Sequence, residues 1–219
     1  MIYSYTFFND WENCNHKAAR KHILKDLPRG PQTEQMKWGI TVHKAFEDRI
    51  NSGKLFEPEL AKYEKYVNFG HYRVRAELKV AVDAKGAPCD FFDNDKVKVR
   101  GKIDIQLDRA DRPDTAVIID VKTGKVREDP GEIELHAMML GMRYPQMKNI
   151  YGHYLWLRDD RLGKRHDLSG VAQKWNETQA LIDDVEHAIK MQHFPKNQNP
   201  LCDWCDVKDC EFNGKGRNR

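Results

Sequence analysis

Two alternating hydrophobic runs joined by a short polar segment occupy residues 97–122, VKVRGKIDIQLDRADRPDTAVIIDVK. In the first run, Val97–Leu107, apolar residues alternate with polar ones, which is the period of a half-buried β-strand. A segment rich in Asp, Arg and Pro follows, and the second run, Ala116–Lys122, is mostly apolar. The pattern predicts a β-hairpin whose second strand carries Asp120 and Lys122 on one side.

Two charged side chains on an apolar strand indicate a functional site, because burying a charge costs free energy. Asp104 lies on the polar side of the first predicted strand. Carboxylates on adjacent strands can hold Mg²⁺ or Mn²⁺, and a neighbouring lysine can stabilise an attacking hydroxide. Asp104, Asp120 and Lys122 together therefore predict phosphodiester hydrolysis, although each of them alone is typical of a solvated surface.

Two further polar residues precede the hairpin. His43 lies in Thr33–Ile50, whose apolar spacing predicts a helix. Three residues of this helix are predicted to be buried: Met36, Ile40 and Phe46. Glu77 lies on the polar side of a predicted strand at 74–82. The alternatives are a structural histidine and a glutamate on a merely charged strand edge.

The remaining elements fix the predicted fold class. The chain continues with a helix at Glu132–Arg143, a strand at Ile150–Leu157 and a long amphipathic helix at Val171–Ile189. This order predicts an α/β or α+β domain in which helices flank a mixed central sheet. A length of 219 residues suits a single domain.

The composition limits the classes of partner. A net charge of +3 permits a polyanionic partner without requiring one. The chain contains no apolar run long enough to span a membrane and no basic leader, so we expect a cytoplasmic protein without a membrane partner. It also lacks a Walker motif, so any helicase activity would require a partner protein.

Three cysteines fall within one short segment: Cys202, Cys205 and Cys210. Their spacing suits one metal centre, and Cys14 is the candidate for a fourth ligand. Four thiolates would suit a structural Zn²⁺. Cys89 has no partner in the sequence, and we interpret it as an ordinary thiol.

The ordered motifs resemble the PD-(D/E)XK nuclease superfamily, and specifically its RecB-like branch, over most of the chain. They are Gly39-x-x-x-His43, Glu77, Gly101-Lys-Ile-Asp104 and Asp120-Val-Lys-Thr-Gly-Lys125. The resemblance implies a restriction-endonuclease-like core. It also implies that Mg²⁺ or Mn²⁺ is bound by four groups: His43, Asp104, Asp120 and the backbone carbonyl of Val121. In the same family Lys122 would lie next to the attacking water, and Glu77 would be the acid on the preceding strand.

The family's DNA-contacting helix motif, Gln-x-x-x-Tyr, is degraded in this chain. The corresponding residues are Glu134-Leu-His-Ala-Met138. Either Glu134 or His136 is a candidate to replace the glutamine.

The same branch includes AddB-type and CRISPR-associated exonucleases, in which one early and three late cysteines bind a 4Fe–4S cluster. Cys14, Cys202, Cys205 and Cys210 resemble that arrangement. The resemblance therefore implies an iron–sulfur cluster, with structural Zn²⁺ as the alternative. Such a centre would make residues 1–30 and 195–219 a clamp on a single nuclease domain at 1–219.

The leading hypothesis is a metal-dependent exonuclease that acts on DNA ends or single strands in recombination, repair or phage DNA processing. An endonuclease or a CRISPR spacer-processing nuclease is the alternative within the same enzyme class. A non-catalytic nucleic-acid-binding module is the third hypothesis. The intact Asp120-Val-Lys122 argues against this third hypothesis.

Overall fold

The structure is a computed structural model that describes residues 1–28, 30–127 and 129–216. Within it the chain forms two compact units. The first comprises Met1–Ile2 and Gln32–Trp175, and the second comprises Tyr3–Pro31 and Asn176–Arg219. Among the described residues, no helix combines the length and the apolar character needed to cross a bilayer.

The predicted clamp segments, 1–30 and 195–219, fall in the second unit from Tyr3 onward. Within them, Arg29 and residues 217–219 lie outside the described residues. The hypothesis of one nuclease domain with a terminal clamp stays a prediction.

The described residues contain five α-helices and six strands. The helices are α1 (Tyr5–Asn13), α2 (Asn15–Ala18), α3 (Glu34–Ser52), α4 (Gly131–Arg143) and α5 (Val171–Met191). The strands are β1 (Arg73–Val82), β2 (Val99–Arg109), β3 (Arg112–Lys122), β4 (Asn149–Trp156), β5 (Arg161–Leu162) and β6 (His166–Asp167). Helical segments of other types occupy Ala19–Ile23, Ala61–Tyr66, Leu157–Asp159 and Pro200–Trp204.

The sheet of the first unit is mixed, as predicted. Its order is β1-β2-β3-β4-β5, and β6 also pairs with β4. β1, β2 and β3 are antiparallel neighbours, whereas β3 and β4 are parallel and are joined through α4. This confirms an α/β fold with a mixed central sheet flanked by helices.

The hairpin of β2 and β3 is confirmed, but its turn is shorter than predicted. The strands extend to Arg109 and Arg112, which pair with each other. The regular register continues to the pair of Asp108 with Ala116, and it shifts before the pair of Arg109 with Arg112. The irregularity accommodates Pro113, which has no N–H to donate to a ladder.

Helix α3 begins and ends on standard signals but buries fewer residues than expected. The Thr33 side chain accepts a hydrogen bond from the Met36 backbone N–H at 3.2 Å, and Gly53 ends the helix at a φ of 72°. Phe46 is buried, as predicted, together with Val42. The predictions for Met36 and Ile40 are wrong, since these side chains are 55% and 57% exposed. The helix packs against the core only from Val42 onward.

The hydrophobic core beneath α3 positions the elements that carry the predicted site residues. It consists of buried apolar residues from α3, the 60–66 segment, the three strands β2 to β4, and the turn after β4: Val42, Phe46, Leu60, Tyr63, Ile105, Leu107, Ile119, Val121, Leu155 and Leu157. Burying a side chain of this size stabilises the fold by about 1.5–3 kcal/mol. This packing holds α3 against the strands that carry the predicted acids.

Candidate active site

The antiparallel ladder between β2 and β3 ends immediately before the two predicted aspartates. Ile105 pairs with Ile119, and Asp104 and Asp120 are the next residues on the two strands. Beyond that pair, a side chain replaces the backbone as hydrogen-bond acceptor: Asp104 Oδ2 accepts a hydrogen bond from the Val121 backbone N–H at 2.7 Å. The regular pairing of the two strands therefore ends where the two aspartates lie, and Asp120 is buried at that point.

Glu77 lies on β1 in register with Asp104, between the pairs Ala76–Ile105 and Leu78–Ile103. Its φ of 52° is in the left-handed region, which costs a non-glycine residue about 1–2 kcal/mol. Strain of this kind is typical of functional sites.

His43 connects α3 to these acids. Its Nδ1 lies 3.3 Å from Asp104 Oδ1 and 3.8 Å from Glu77 Oε1. One potential ligand atom from each of His43, Glu77 and Asp104 lies within 4.8 Å of the others. An imidazole nitrogen and carboxylate oxygens fit a divalent cation such as Mn²⁺ or Mg²⁺.

The carboxylates of Glu77 and Asp104 favour a positive charge on His43. The nearby carboxylates of Asp104 and then Glu77 raise the pKa of His43 to about 10, although burial opposes the shift. The nearby His43 in turn lowers the pKa of Glu77. A metal ion bound by His43 would have to displace this proton, since ligation requires the neutral ring.

Asp120 and Lys122 form the second part of the site. The Lys122 Nζ lies 2.8 Å from Asp120 Oδ2, in an ion pair outside hydrogen-bond geometry. Burial and then the charge of Asp104 raise the pKa of Asp120 well above its usual value. Burial opposes the charge of Lys122, but the carboxylates of Asp120 and Glu132 outweigh it and raise its pKa. A metal ion bound beside Asp120, in addition to Lys122, would favour the ionised form of this buried carboxylate.

The five predicted side chains His43, Glu77, Asp104, Asp120 and Lys122 are called the acid site below. The first three form the close group, and Asp120 falls outside its 4.8 Å limit. Val121 contributes its N–H to Asp104, and ligation by its carbonyl stays a prediction.

Glu132 is a residue of the site that the sequence patterns did not identify. Its Oε2 accepts a hydrogen bond from the Lys122 Nζ at 2.6 Å. It lies in the first turn of α4, where acidic residues are common because they interact favourably with the helix dipole. That position was the only available signal, and it is ambiguous.

The two candidates for the degraded helix motif have different surroundings. Glu134 pairs with Lys174, whose Nζ lies 2.9 Å from Glu134 Oε2. His136 is buried, its Nδ1 has no hydrogen-bond partner among the described residues, and burial lowers its pKa. A Cβ at Gly101 would lie 2.7 Å from His136 Nε2, so the glycine permits this close approach. The replacement of the glutamine by either residue stays a prediction.

The second unit brings the four predicted cysteine ligands to one cavity. Cys14, Cys202, Cys205 and Cys210 all line a cavity of about 170 Å³, called the cysteine cavity below. Asparagine side chains join the surrounding segments, since Asn197 Nδ2 and Asn199 Nδ2 donate to the Asn13 carbonyl at 3.0 Å and 2.8 Å. Cys89 lies elsewhere, in the first unit.

The thiols of this cavity are not in contact as a ligand set. Among the described residues, no three cysteine sulfurs lie within 4.8 Å of one another. Cys202 Sγ accepts a weak hydrogen bond from the Asn199 N–H at 3.4 Å. Four thiols on one small cavity fit a cysteine-ligated centre by donor type.

Comparison with known proteins places the chain in a family. The family model of the PD-(D/E)XK nuclease superfamily matches residues 54–210, which is more than half of the chain. A comparison with curated proteins found no match. Among solved structures, one described as "Crystal structure of SSO0001" is similar in fold at 13% identity and a TM-score of 0.50. The similarity covers 97% of this chain and 86% of that chain. The chain therefore belongs to the PD-(D/E)XK nuclease superfamily, whose members are hydrolases that use Mg²⁺ or Mn²⁺.

Proposed function

We propose that this protein is a metal-dependent deoxyribonuclease of the RecB-like branch, with the acid site as its catalytic centre. The observation that carries the proposal is the close group of His43, Glu77 and Asp104 beside the Asp120–Lys122 ion pair. An isolated surface acid would not lie next to both a buried carboxyl group, here Asp120, and a lysine that other carboxylates hold in place, here Lys122. The preferred activity is exonucleolytic, on DNA ends or single strands in recombination, repair or phage DNA processing.

Each residue of the site has a proposed role. His43, Asp104, Asp120 and the Val121 carbonyl would hold Mg²⁺ or Mn²⁺, and Glu77 would support His43. When bound, the metal would neutralise phosphate charge and lower the pKa of the attacking water. Lys122 would orient that water and stabilise the negative charge that develops on it. Glu132 would hold the lysine in position through its 2.6 Å hydrogen bond.

The cysteine cavity is proposed to hold a 4Fe–4S cluster, with structural Zn²⁺ as the alternative. The support is that Cys14 and the three late cysteines share one cavity in the second unit. A cysteine-ligated centre and five free thiols are consistent with a reducing compartment such as the cytoplasm. A helicase or recombination protein is the proposed partner, because the chain has no Walker motif of its own.

The decisive experiment uses DNA labelled at the 5′ or 3′ end, single-stranded or duplex, together with closed circular DNA. Purified protein should degrade the linear substrates in Mg²⁺ or Mn²⁺ and stop in EDTA. Cleavage of the circle would favour the endonuclease, and trimming to a fixed length would favour the CRISPR-type function. Binding without cleavage under all metal conditions would contradict the proposal and favour the non-catalytic module.

A further inference from the structure

The segment between β1 and β2 folds back along one end of β1. Pro88 forms an isolated bridge with Val82, and the Cys89 N–H donates to the Ala81 carbonyl at 3.1 Å. β1 is an edge strand, so the rest of its outer side has no strand partner in the described sheet. The result is an open groove of about 750 Å³ between this segment and β1, called the edge groove.

The edge groove reaches the acid site. Its β1 side includes Arg75, Glu77 and Lys79, its opposite side includes Phe91 and Phe92, and Arg143 of α4 also lines it. Glu77 therefore belongs to both the groove and the close group of the acid site. A ligand lying in the groove would therefore contact the proposed catalytic centre at Glu77.

Two cations of the groove carry charge that no carboxylate neutralises. Among the described residues, neither Lys79 nor Arg143 forms an ion pair, and Arg143 donates instead to the Lys79 carbonyl at 2.8 Å. Arg75 differs, because it lies 3.3 Å from the buried Asp108. The groove contains two acids, and one of them, Glu77, is paired with Lys102. Asp90 is therefore the one remaining acid of the groove beside the two cations Lys79 and Arg143.

An exposed aromatic ring lies beside one of these cations. Phe92 is 65% exposed, and the Lys79 Nζ lies 4.7 Å from its ring centroid. Phe91 supports it edge-on at 5.2 Å between ring centroids. An exposed phenylalanine next to unpaired cations is the combination by which proteins bind single-stranded nucleic acid, with bases stacked on the ring and phosphates near the cations.

We infer that the edge groove binds a single strand of nucleic acid, with a base on Phe92 and phosphates near Lys79 and Arg143, and leads it to Glu77. A duplex would not fit this chemistry, because its bases are already stacked on each other. Binding in the groove stands on its own, and the direction toward Glu77 rests on the proposed function. A peptide strand added to β1 is disfavoured by the charged side chains of that edge.

The test measures binding without cleavage. Fluorescence anisotropy in EDTA would follow a labelled oligo(dT) of about 12 nucleotides and the matching duplex. Phe92→Ala should weaken single-strand binding about tenfold, as loss of one stacked base predicts. Lys79→Gln should reduce the slope of log K against log salt by about 0.7, the value for one phosphate contact on a single strand.

Two exposed residues outside the groove provide matched controls. Lys62 lies over the Tyr63 ring at 4.9 Å, much as Lys79 lies over Phe92, and Leu55 is 73% exposed. Lys62→Gln and Leu55→Ala should bind like the wild type. An oligonucleotide carrying 5-iododeoxyuridine should also cross-link to the peptide that contains Phe91 and Phe92.

The outcomes separate the groove from the nuclease activity. Unchanged affinity in Phe92→Ala with an unchanged salt slope in Lys79→Gln would overturn the inference, even if the wild type cleaves DNA. Equal dependence of duplex binding on Phe92, or cross-links only outside the groove, would also overturn it. Binding that depends on the groove in a protein that never cleaves would support the groove and contradict the proposed function.

Discussion

The acid site and the cysteine cavity are constructed in opposite ways. Most of the acid site comes from three neighbouring strands, and three of its side chains, His43, Glu77 and Asp104, already lie within ligand distance of one another. The cysteine cavity lies between segments from the two ends of the chain, which are joined by asparagine hydrogen bonds, by the Arg20–Asp209 ion pair and by a backbone hydrogen bond from His16 to Pro195. In the first region three potential ligand groups already lie close together, whereas in the second no three of the described thiols lie within 4.8 Å of one another.

This difference leads to a prediction about the acid site with the largest expected effect. Asp120→Asn should lower cleavage roughly a thousandfold or more, because several kcal/mol of charge stabilisation would be lost. The fold should stay intact, since burial and Asp104 already disfavour the ionised form of Asp120. Labelled-DNA cleavage and thermal melting would measure the two effects.

The matched control is Asp111→Asn, which changes an exposed aspartate paired with Arg109. It should leave both cleavage and melting unchanged. Full cleavage by Asp120→Asn would remove this residue from the mechanism. A large fall in the melting temperature of Asp120→Asn would mean that folding depends on the side chains of the acid site, as is expected for the cysteine cavity.

The second prediction concerns the cysteine cavity, where the main effect should be on stability. Cys14→Ser should lose the bound metal and lower the melting temperature markedly, because structural metal centres can contribute about 10 kcal/mol or more. Metal analysis after anaerobic purification should give about four irons per wild-type chain. Cys89→Ser, which lies outside the cavity, is the control.

Stoichiometric zinc in place of iron would favour the structural-zinc alternative. Absence of both metals, with Cys14→Ser as stable as the wild type, would contradict a cysteine-ligated centre altogether. It would also mean that the asparagine hydrogen bonds and the Arg20–Asp209 ion pair suffice to join the two ends of the chain.

The third prediction has an intermediate effect and compares two acids of one helix. Glu132→Gln should reduce turnover about 10–100-fold without changing substrate affinity, as expected for a residue that positions another. Glu134→Gln changes an acid two positions later that pairs with Lys174 and installs the glutamine of the family's helix motif, so it should not lower turnover. Equal losses in both variants would mean that the effect belongs to the helix and not to the contact with Lys122.

The fourth and smallest effect is a pH dependence of the metal-free protein. The pKa of His43 in the folded state is about 10, above its usual 6.5. Its contribution to stability is therefore complete below pH 6.5 and is lost as the pH rises through about 10. Melting temperatures in EDTA should fall over this range, and Mg²⁺ should reduce the slope by replacing the proton.

His43→Gln should remove most of this pH dependence, whereas His71→Gln, which changes an exposed histidine, should retain it. An identical slope in wild type and His43→Gln would contradict the assignment of the charge to the acid site.

The strands and the positions of their acids could be predicted from the sequence because both depend on local alternation. A period of two is sufficient to put Asp120 and Lys122 on one side of β3, and adjacent strands bring Asp104 close. The PD-(D/E)XK family was also predictable from the motifs, while its RecB-like branch stays a proposal.

Features that depend on distant contacts could not be predicted. Met36 and Ile40 have helical spacing, but nothing local indicates that α3 leaves the core before Val42. The contact of Glu132 with Lys122 crosses from a helix to a strand. The edge groove requires the segment before β2 to fold back on β1, and no pattern within that segment indicates this.

The left-handed backbone at Glu77 has a consequence for any attempt to engineer this protein. Glycine adopts that conformation without strain, so Glu77→Gly should relax the strand, but it would also remove the ion pairs of Glu77 with His43 and Lys102. A selection for heat resistance would favour glycine at this position only if the relief of strain exceeds the loss of these ion pairs, and it would then discard the proposed partner of His43. Thermal stability and catalysis would then favour different residues at this position, as is common where a fold tolerates strain for activity.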